Sequence, residues 1–130
     1  MPYQSYLRNC ENLLVEFEKS QLQMLRLDLD VSGEKFIVQM KKMRQMFRQI
    51  SRELENFSFK SRRDEILITK QIERLLVFLK EMDLHITDFY TKPPLDENKI
   101  IFIFDRQHLY KNIYRKHLKD FASVVAQDYS

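Results

Sequence analysis

The chain has 130 residues, with one glycine, three prolines and one cysteine. This length is enough for one self-sufficient core, and so few turn residues favour long helices, so we predict a single helical domain over residues 1–130. The single cysteine excludes an intrachain disulfide and favours a reducing, cytoplasmic compartment. Phosphate-binding loops, dinucleotide turns and serine hydrolase elbows are excluded because each needs several glycines.

The longest apolar runs, Leu75–Leu79 and Ile100–Phe104, are far shorter than the roughly 20 residues that span a bilayer. The N-terminus has neither the basic segment nor the apolar segment of a secretory signal. We therefore expect a soluble, cytoplasmic protein with no membrane partner.

The first predicted helix begins near Tyr3. Its apolar residues recur every three or four positions, as on one helix face, at Tyr6, Leu7, Cys10, Leu13, Leu14, Phe17 and Met24. Gln21 interrupts this row, and Cys10 is expected to be a small buried hydrophobe. We predict that the helix ends at Val31-Ser32-Gly33, because glycine tolerates the positive φ of a helix C-terminus.

The second and third predicted helices carry matched apolar rows. In helix two, steps of four and three residues connect Phe36, Met40, Met43, Phe47, Ile50, Leu54 and Phe57. In helix three, the same steps connect Ile68, Ile72, Leu75, Leu79, Met82, Ile86 and Phe89. This spacing is typical of nearly antiparallel neighbouring helices. Ser58-Phe59-Lys60 is the predicted link, and Ser61-Arg62-Arg63-Asp64 is a predicted capping box.

A loop with Pro93 and Pro94 precedes the last predicted helix, because consecutive prolines cannot continue a helix. Ile100–Phe104 is either a short extended piece or a buried helical turn. From Asp105, the expected N-cap, helical spacing returns at Tyr110, Ile113, Tyr114, His117, Phe121, Val124 and Val125. We therefore predict an all-α fold, an antiparallel four-helix bundle with three long helices and a C-terminal helix after a Pro-Pro loop.

Positive charge is concentrated in helix two and the link after it. Residues 34–63 contain nine Lys and Arg against three Asp and Glu, whereas the whole chain has a net charge of +3. The candidate site, which we call the basic stripe, consists of Lys41, Arg44, Arg48, Arg52, Lys60, Arg62 and Arg63. Its four helical members fall in one sector, roughly opposite the apolar row. The stripe could bind nucleic-acid phosphates or an acidic protein surface, or be an ordinary solvated helix face.

Met40, Met43 and Met46 have the spacing of a soft-metal motif. Met40 and Met43, however, belong to the apolar row of helix two. This favours core packing, with contact to a partner helix as the alternative.

The histidines do not form a metal site in the sequence. His85, His108 and His117 are scattered, and the Asp105-x-x-His108 pair occurs only once, whereas bundle metal sites need such a motif on two helices. Asp83, His85 and Asp88 do not converge on one point of a helix. We expect no metal, cofactor, small-molecule substrate or enzymatic activity.

The segment after helix two carries a resemblance to a known family. Residues 57–66 read Phe-Ser-Phe-Lys-Ser-Arg-Arg-Asp-Glu-Ile, and Lys70-Gln71-Ile72 and Pro93 follow. Over Leu54–Pro93 the chain is similar to the N-terminal helical region of the RteC family, regulators from conjugative transposons of Bacteroides-type bacteria. That region has an aromatic-x-Phe-Lys stretch, an acidic pair before Ile, a Lys-x-Ile step and a later Pro. Ile68-Thr69 and Glu73-Arg74 stand where the family usually has two aromatics and Lys-Pro.

The resemblance implies a non-enzymatic helical domain of a transcription regulator, acting by self-association or protein docking. Family members continue into a winged-helix-like DNA-binding part, so this chain would be one domain of a longer regulator or a shortened relative. Direct nucleic-acid binding by the basic stripe stays an alternative, as does a bundle chaperone or anti-factor that grips a helical segment. Exposed aromatics would favour docking, and Tyr110 and Tyr114 can both enter the core with Phe121 only if the last helix has a wide buried face.

Overall fold

The computed structural model describes residues 2–25, 29–92 and 96–128. These residues form four α-helices, α1 Pro2–Leu25, α2 Leu29–Arg52, α3 Arg62–Thr91 and α4 Glu97–Asp128, with a short 3₁₀ helix at Glu53–Asn56. The three described ranges contain no strand, so the predicted all-α fold with four helices is confirmed for them. No helix in these ranges combines the length and the apolar character needed to cross a bilayer.

The predicted apolar rows of α2 and α3 lie in the core. Every member of the α2 row between positions 36 and 54 is buried, and in α3 only Ile72 is partly exposed. Met40 and Met43 are among the buried residues, as core packing predicts, and Met46 packs against the core. Helix α2 contacts both α1 and α3, and α4 contacts both α3 and α1. The expectation that helices two and three are neighbours is therefore confirmed.

The prediction that Gly33 ends the first helix is wrong. Helix α1 ends at Leu25 and α2 begins at Leu29, so Gly33 lies inside α2. Gly33 is buried, and a Cβ added to it would overlap the ring of Tyr90 in α3. Glycine is needed here because a side chain from another helix comes close to the backbone.

The starts of α3 and α4 differ in part from expectation. Ser61 is the N-cap of α3, as predicted, but its side chain makes no capping hydrogen bond. Helix α4 begins at Glu97, so Asp105 is an interior residue and residues 100–104 are helical. Asp96 instead precedes α4, and its carboxylate accepts a 2.9 Å hydrogen bond from the Asn98 backbone N–H, the pattern of an N-cap. Pro93 and Pro94 lie outside the described residues.

Helix α4 has the wide buried face that its tyrosines require. Tyr110, Tyr114 and Phe121 are all at most 1% exposed. The Tyr114 hydroxyl donates a 2.8 Å hydrogen bond to the backbone carbonyl of Cys10, so its burial leaves the group paired. These tyrosines therefore do not supply an exposed aromatic surface.

Candidate functional site

The α2 part of the basic stripe is not a uniform row of free cations. Lys41, Arg48 and Arg52 are exposed. The Arg44 guanidinium lies 3.9 Å from the Asp83 carboxylate of α3, and the two side chains are 24% and 8% exposed. Arg44 is only about 80° from the centre of the apolar row, so the expectation that it lies opposite this row is wrong. Its contact with Asp83 places it on the flank of α2 that meets α3. The four predicted residues therefore divide into three exposed cations and one partly buried ion pair.

Carboxylates accompany the C-terminal end of this row. Arg52 lines a cavity of about 390 Å³ between the end of α2 and the start of α3. Glu55, Glu65 and Glu73 line the same cavity. The local surface around Arg52 is therefore mixed in charge.

The last three members of the stripe lie where the chain enters α3. Lys60 belongs to the link, Arg62 and Arg63 belong to the first turn of α3, and all three are exposed. Cations are unfavourable at the positive end of a helix dipole, and Asp64 and Glu65 in the same turn offset them. Arg62 also shares a cavity of about 310 Å³ with Glu65. The predicted extension of the stripe is therefore present but accompanied by carboxylates.

The most strongly perturbed titratable groups lie inside the core. His117 Nε2 is 2.5 Å from the Tyr6 hydroxyl, and Nδ1 is 2.8 Å from Oε1 of Gln71. Nε2 of Gln71 donates a 2.7 Å hydrogen bond to Oδ2 of Asp120. Because the carboxylate only accepts, the Gln71 amide has one orientation, which makes His117 Nδ1 a donor and Nε2 the acceptor of the Tyr6 proton. The chain of bonds therefore defines a single neutral tautomer of His117.

Burial keeps these groups uncharged. It lowers the pKa of His117 to about 4, although Asp120 opposes the change. It raises the pKa of the Cys10 thiol to about 11 and also raises the pKa of the Tyr6 and Tyr114 hydroxyls. Cys10, His117 and both tyrosines are at most 1% exposed. These groups are therefore closed to solvent, and their hydrogen bonds help to specify the packing of the core.

A second polar cluster connects α1 to α4. Gln21 interrupts the predicted apolar row, and its Nε2 donates a 2.8 Å hydrogen bond to Oε1 of Gln107. Nearby, Glu18 pairs with Arg115 at 2.9 Å and with Lys111 at 3.7 Å. The sequence marked Gln21 as an interruption, but its partner on α4 could be identified only from the structure.

The other candidate metal residues stay apart. Asp83 faces Arg44 on α2, whereas the His85 ring contacts the Phe102 ring of α4 with centroids 5.1 Å apart. The two residues therefore lie on opposite flanks of α3. His108 is exposed. Among the described residues, no three His, Cys, Asp or Glu side chains are placed to hold a metal ion together.

Exposed apolar side chains concentrate on α3 and α4, which the sequence analysis missed. In the described part of these two helices, seven large apolar side chains are at least 40% exposed, namely Ile66, Leu67, Val77, Leu84, Ile101, Phe102 and Leu109. In the described side chains of α1 and α2 only Val15, Leu22 and Val38 are comparably exposed. Seven of the ten such side chains in the described residues therefore lie on α3 and α4.

Four of these residues form two rows that we call the apolar face. Val77 and Leu84 are seven residues apart on α3, and Phe102 and Leu109 are seven residues apart on α4. Seven residues are close to two helical turns, so each pair lies on one side of its helix. The signal in the sequence is this spacing, but charged residues between the members obscure it.

Contacts between α3 and α4 place the two rows at matching levels of neighbouring helices, with Glu81, His85 and Arg106 between them. Arg106 pairs with Glu81 at 3.8 Å, and its guanidinium lies 5.5 Å from the centre of the Phe102 ring. His85 contacts the same ring. At the other end of the helix pair, Gln71 of α3 is hydrogen-bonded to Asp120 of α4. Leu84 is therefore near the level of Phe102, and Val77 is near the level of Leu109.

The chain matches no protein-family model, no curated protein and no solved structure. A functional assignment therefore depends on the geometry and chemistry of its own surfaces.

Proposed function

We propose that this chain is a non-enzymatic helical interaction domain that docks a protein partner or a second copy through its apolar face. The observation that carries the proposal is the pair of exposed rows, Val77 with Leu84 and Phe102 with Leu109, which are 40–59% exposed on adjacent helices. Single exposed apolar residues are ordinary, but apolar residues grouped on one surface are typical of interaction sites.

The interior supports a role without catalysis. Catalytic acids, bases and nucleophiles need perturbed groups that a substrate can reach. In this chain the groups with strongly shifted pKa values, including Cys10 and His117, are 0% exposed. The residues that are accessible on the apolar face are aliphatic or aromatic and supply contact area rather than chemistry.

We also propose that the chain is related to the N-terminal helical region of RteC-type transcription regulators. The residues of the resemblance, 54–93, include the link and all of α3, and α3 contributes Val77 and Leu84 to the apolar face. An interaction domain of a regulator would use such a face to join a partner. An antiparallel arrangement is supported by the contacts between α3 and α4, because Gln71 near the start of α3 contacts Asp120 near the end of α4, whereas His85 near the end of α3 contacts Phe102 near the start of α4.

Nucleic-acid binding by the basic stripe is the second candidate. It is favoured by the exposure of Lys41, Arg48 and Arg52 along α2, which could contact phosphates. The pairing of Arg44 with Asp83 and the carboxylates around Arg52 reduce the free positive charge of this surface. We therefore place this function second.

Site-specific photo-crosslinking in the native cells tests the docking proposal. A photoreactive amino acid replaces Leu109, which is 40% exposed on the apolar face, or Val38, which is 65% exposed on α2. We expect discrete crosslinked products from position 109 and none from position 38. Products whose mass equals twice that of the chain would identify a second copy. Equal products from both positions, or none from either, would contradict docking through the apolar face.

A further inference from the structure

A cavity of about 220 Å³ between α3 and α4 has basic walls. It is lined by Leu67, Lys70, Gln71, Arg74, Ile113 and Lys116. Three of these residues are exposed cations, and no carboxylate lines the cavity. In the described part of the chain, no carboxylate oxygen lies within 4.0 Å of a charged nitrogen of Lys70, Arg74 or Lys116. Three cations that have no ion-pair partner among the described residues therefore surround one cavity, and Lys70 also lines the neighbouring cavity that contains Glu65 and Glu73.

This basic cavity continues the apolar face. Lys70 precedes Val77 by seven residues on α3, and Lys116 follows Leu109 by seven residues on α4. Each row is thereby extended to three positions that share one side of its helix. Because Gln71 contacts Asp120, the two lysines lie at the same end of the paired helices. The combined surface has two apolar levels, with the Arg106–Glu81 ion pair between them, and is positive at one end.

The dimensions of this surface match a helix. Fourteen residues separate Lys70 from Leu84, which corresponds to about 21 Å of α-helix, or about four turns. Helices that bind in grooves place apolar anchors at positions i, i+3 or i+4 and i+7. The two apolar levels of the surface, Val77 with Leu109 and Leu84 with Phe102, are about two turns apart and fit such anchors.

We propose that this surface binds an amphipathic partner helix with acidic residues at one end. Its apolar residues would cover the apolar face, and its carboxylates would lie over Lys70, Arg74 and Lys116. Charge complementarity at one end would also set the direction of the bound helix. This inference rests on the proposed docking function and adds the chemistry of the partner.

A protein helix fits this surface better than a nucleic acid. Leu67 is 41% exposed in the cavity wall, and Ile113 lines the same wall. A nucleic-acid backbone presents mainly charged, solvated phosphates and would cover these side chains poorly, whereas the apolar side of an amphipathic helix would cover them. The adjoining apolar face strengthens the same argument.

The test is a selection of random 16-residue peptides displayed on phage against the full chain, followed by anisotropy titration of the labelled consensus peptide. We expect a consensus with helical apolar spacing and Asp or Glu at one end. The Lys70→Glu/Arg74→Glu variant should bind this peptide about ten-fold or more weakly, because two attractive charges become repulsive. The matched control Lys41→Glu/Arg48→Glu makes the same charge change on α2 and should leave the affinity within about two-fold.

The outcomes separate this inference from the docking function. A consensus without carboxylates, or one whose affinity is insensitive to Lys70→Glu/Arg74→Glu, would overturn the acidic partner. If Val77→Asp/Leu109→Asp still abolished binding of the selected consensus peptide, docking through the apolar face would stand. The absence of any enriched peptide family would overturn the inference, and the crosslinking at position 109 would then decide the docking function separately. Binding of a labelled 20-base-pair duplex that is lost in Lys70→Glu/Arg74→Glu would assign the cavity to nucleic acid instead.

Discussion

The ring of Tyr90 in α3 lies over the backbone of Gly33 in α2, in the space that a side chain at position 33 would occupy. An ideal Cβ on Gly33 would overlap Cζ, Cε1 and Cε2 of the ring. Gly33 is buried and helical, although glycine is a poor helix former. The contact between the two helices therefore takes precedence over local helix propensity at this position.

We expect Gly33→Ala to lower the free energy of unfolding by about 1–2 kcal/mol, because the new methyl group must displace the Tyr90 ring. Helix propensity alone would favour alanine by about 1 kcal/mol. In a Tyr90→Ala background, the same substitution should therefore be neutral or stabilising. Urea unfolding of the four proteins in a double-mutant cycle measures this coupling. Additive effects would show that the ring does not restrict position 33.

Sequence patterns predicted which residues of α2 and α3 are buried, but they did not predict the role of Gly33. The four-three steps were sufficient because burial of such a row is a property of one helix, which its own residues record. A glycine can be required either for a positive φ or because another residue lies close to its backbone. Only the position of Tyr90 on α3 shows that the second reason applies to Gly33. Likewise, Arg44 could be recognised as a cation, but Asp83 is far away in the sequence. The apolar face was missed because its members come from two helices.

His117 should make the fold sensitive to acid. Its pKa is about 4 in the folded chain, compared with about 6.5 when unfolded. Between these values the unfolded chain binds a proton that the native chain does not, so stability is full above about pH 6.5 and falls as the pH approaches 4. The loss from this residue should be about 3 kcal/mol. Urea unfolding at a series of pH values measures it.

Two variants separate His117 from the general titration of carboxylates. His117→Gln keeps polar atoms near Tyr6 and Gln71 but does not titrate, so the decline between pH 7 and 4 should become shallower by about the same 3 kcal/mol. Asn112→Gln, at an exposed position of the same helix, does not change a titratable group and should leave the slope unchanged. If His117→Gln left the slope unchanged as well, His117 would not be the acid-sensitive group.

The Cys10 thiol should be nearly inert in the native chain. It is 0% exposed, and burial raises its pKa to about 11. At neutral pH only about one thiol in ten thousand is then a thiolate, the form that reacts. We expect a disulfide reagent to label Cys10 orders of magnitude more slowly than the exposed position 123 in a Cys10→Ala/Ser123→Cys variant. Denaturant should make the two rates similar, and rapid labelling of native Cys10 would contradict its burial.

The Arg44–Asp83 pair should contribute to stability rather than to ligand binding. Oδ1 of Asp83 is buried and has no hydrogen-bond partner among the described residues, and Oδ2 faces Arg44. Arg44→Met would leave a buried carboxylate uncompensated and should cost about 2 kcal/mol, since partial exposure of Arg44 moderates the effect. Arg44→Met/Asp83→Leu should recover most of this loss. Lys41→Met, at an exposed position, should change the free energy of unfolding by less than about 0.5 kcal/mol.

Binding of duplex DNA by the basic stripe should be weak and sensitive to salt. If Lys41, Arg48 and Arg52 each neutralise one phosphate, the affinity should fall about 40-fold between 50 and 200 mM salt. Lys41→Glu/Arg48→Glu should remove the remaining binding, whereas Arg44→Met should not, because Arg44 is already paired with Asp83. Fluorescence titration of a labelled duplex with the three proteins measures these differences. Tight binding that persists at 200 mM salt and depends on Arg48 would make the basic stripe, rather than the apolar face, the principal functional surface.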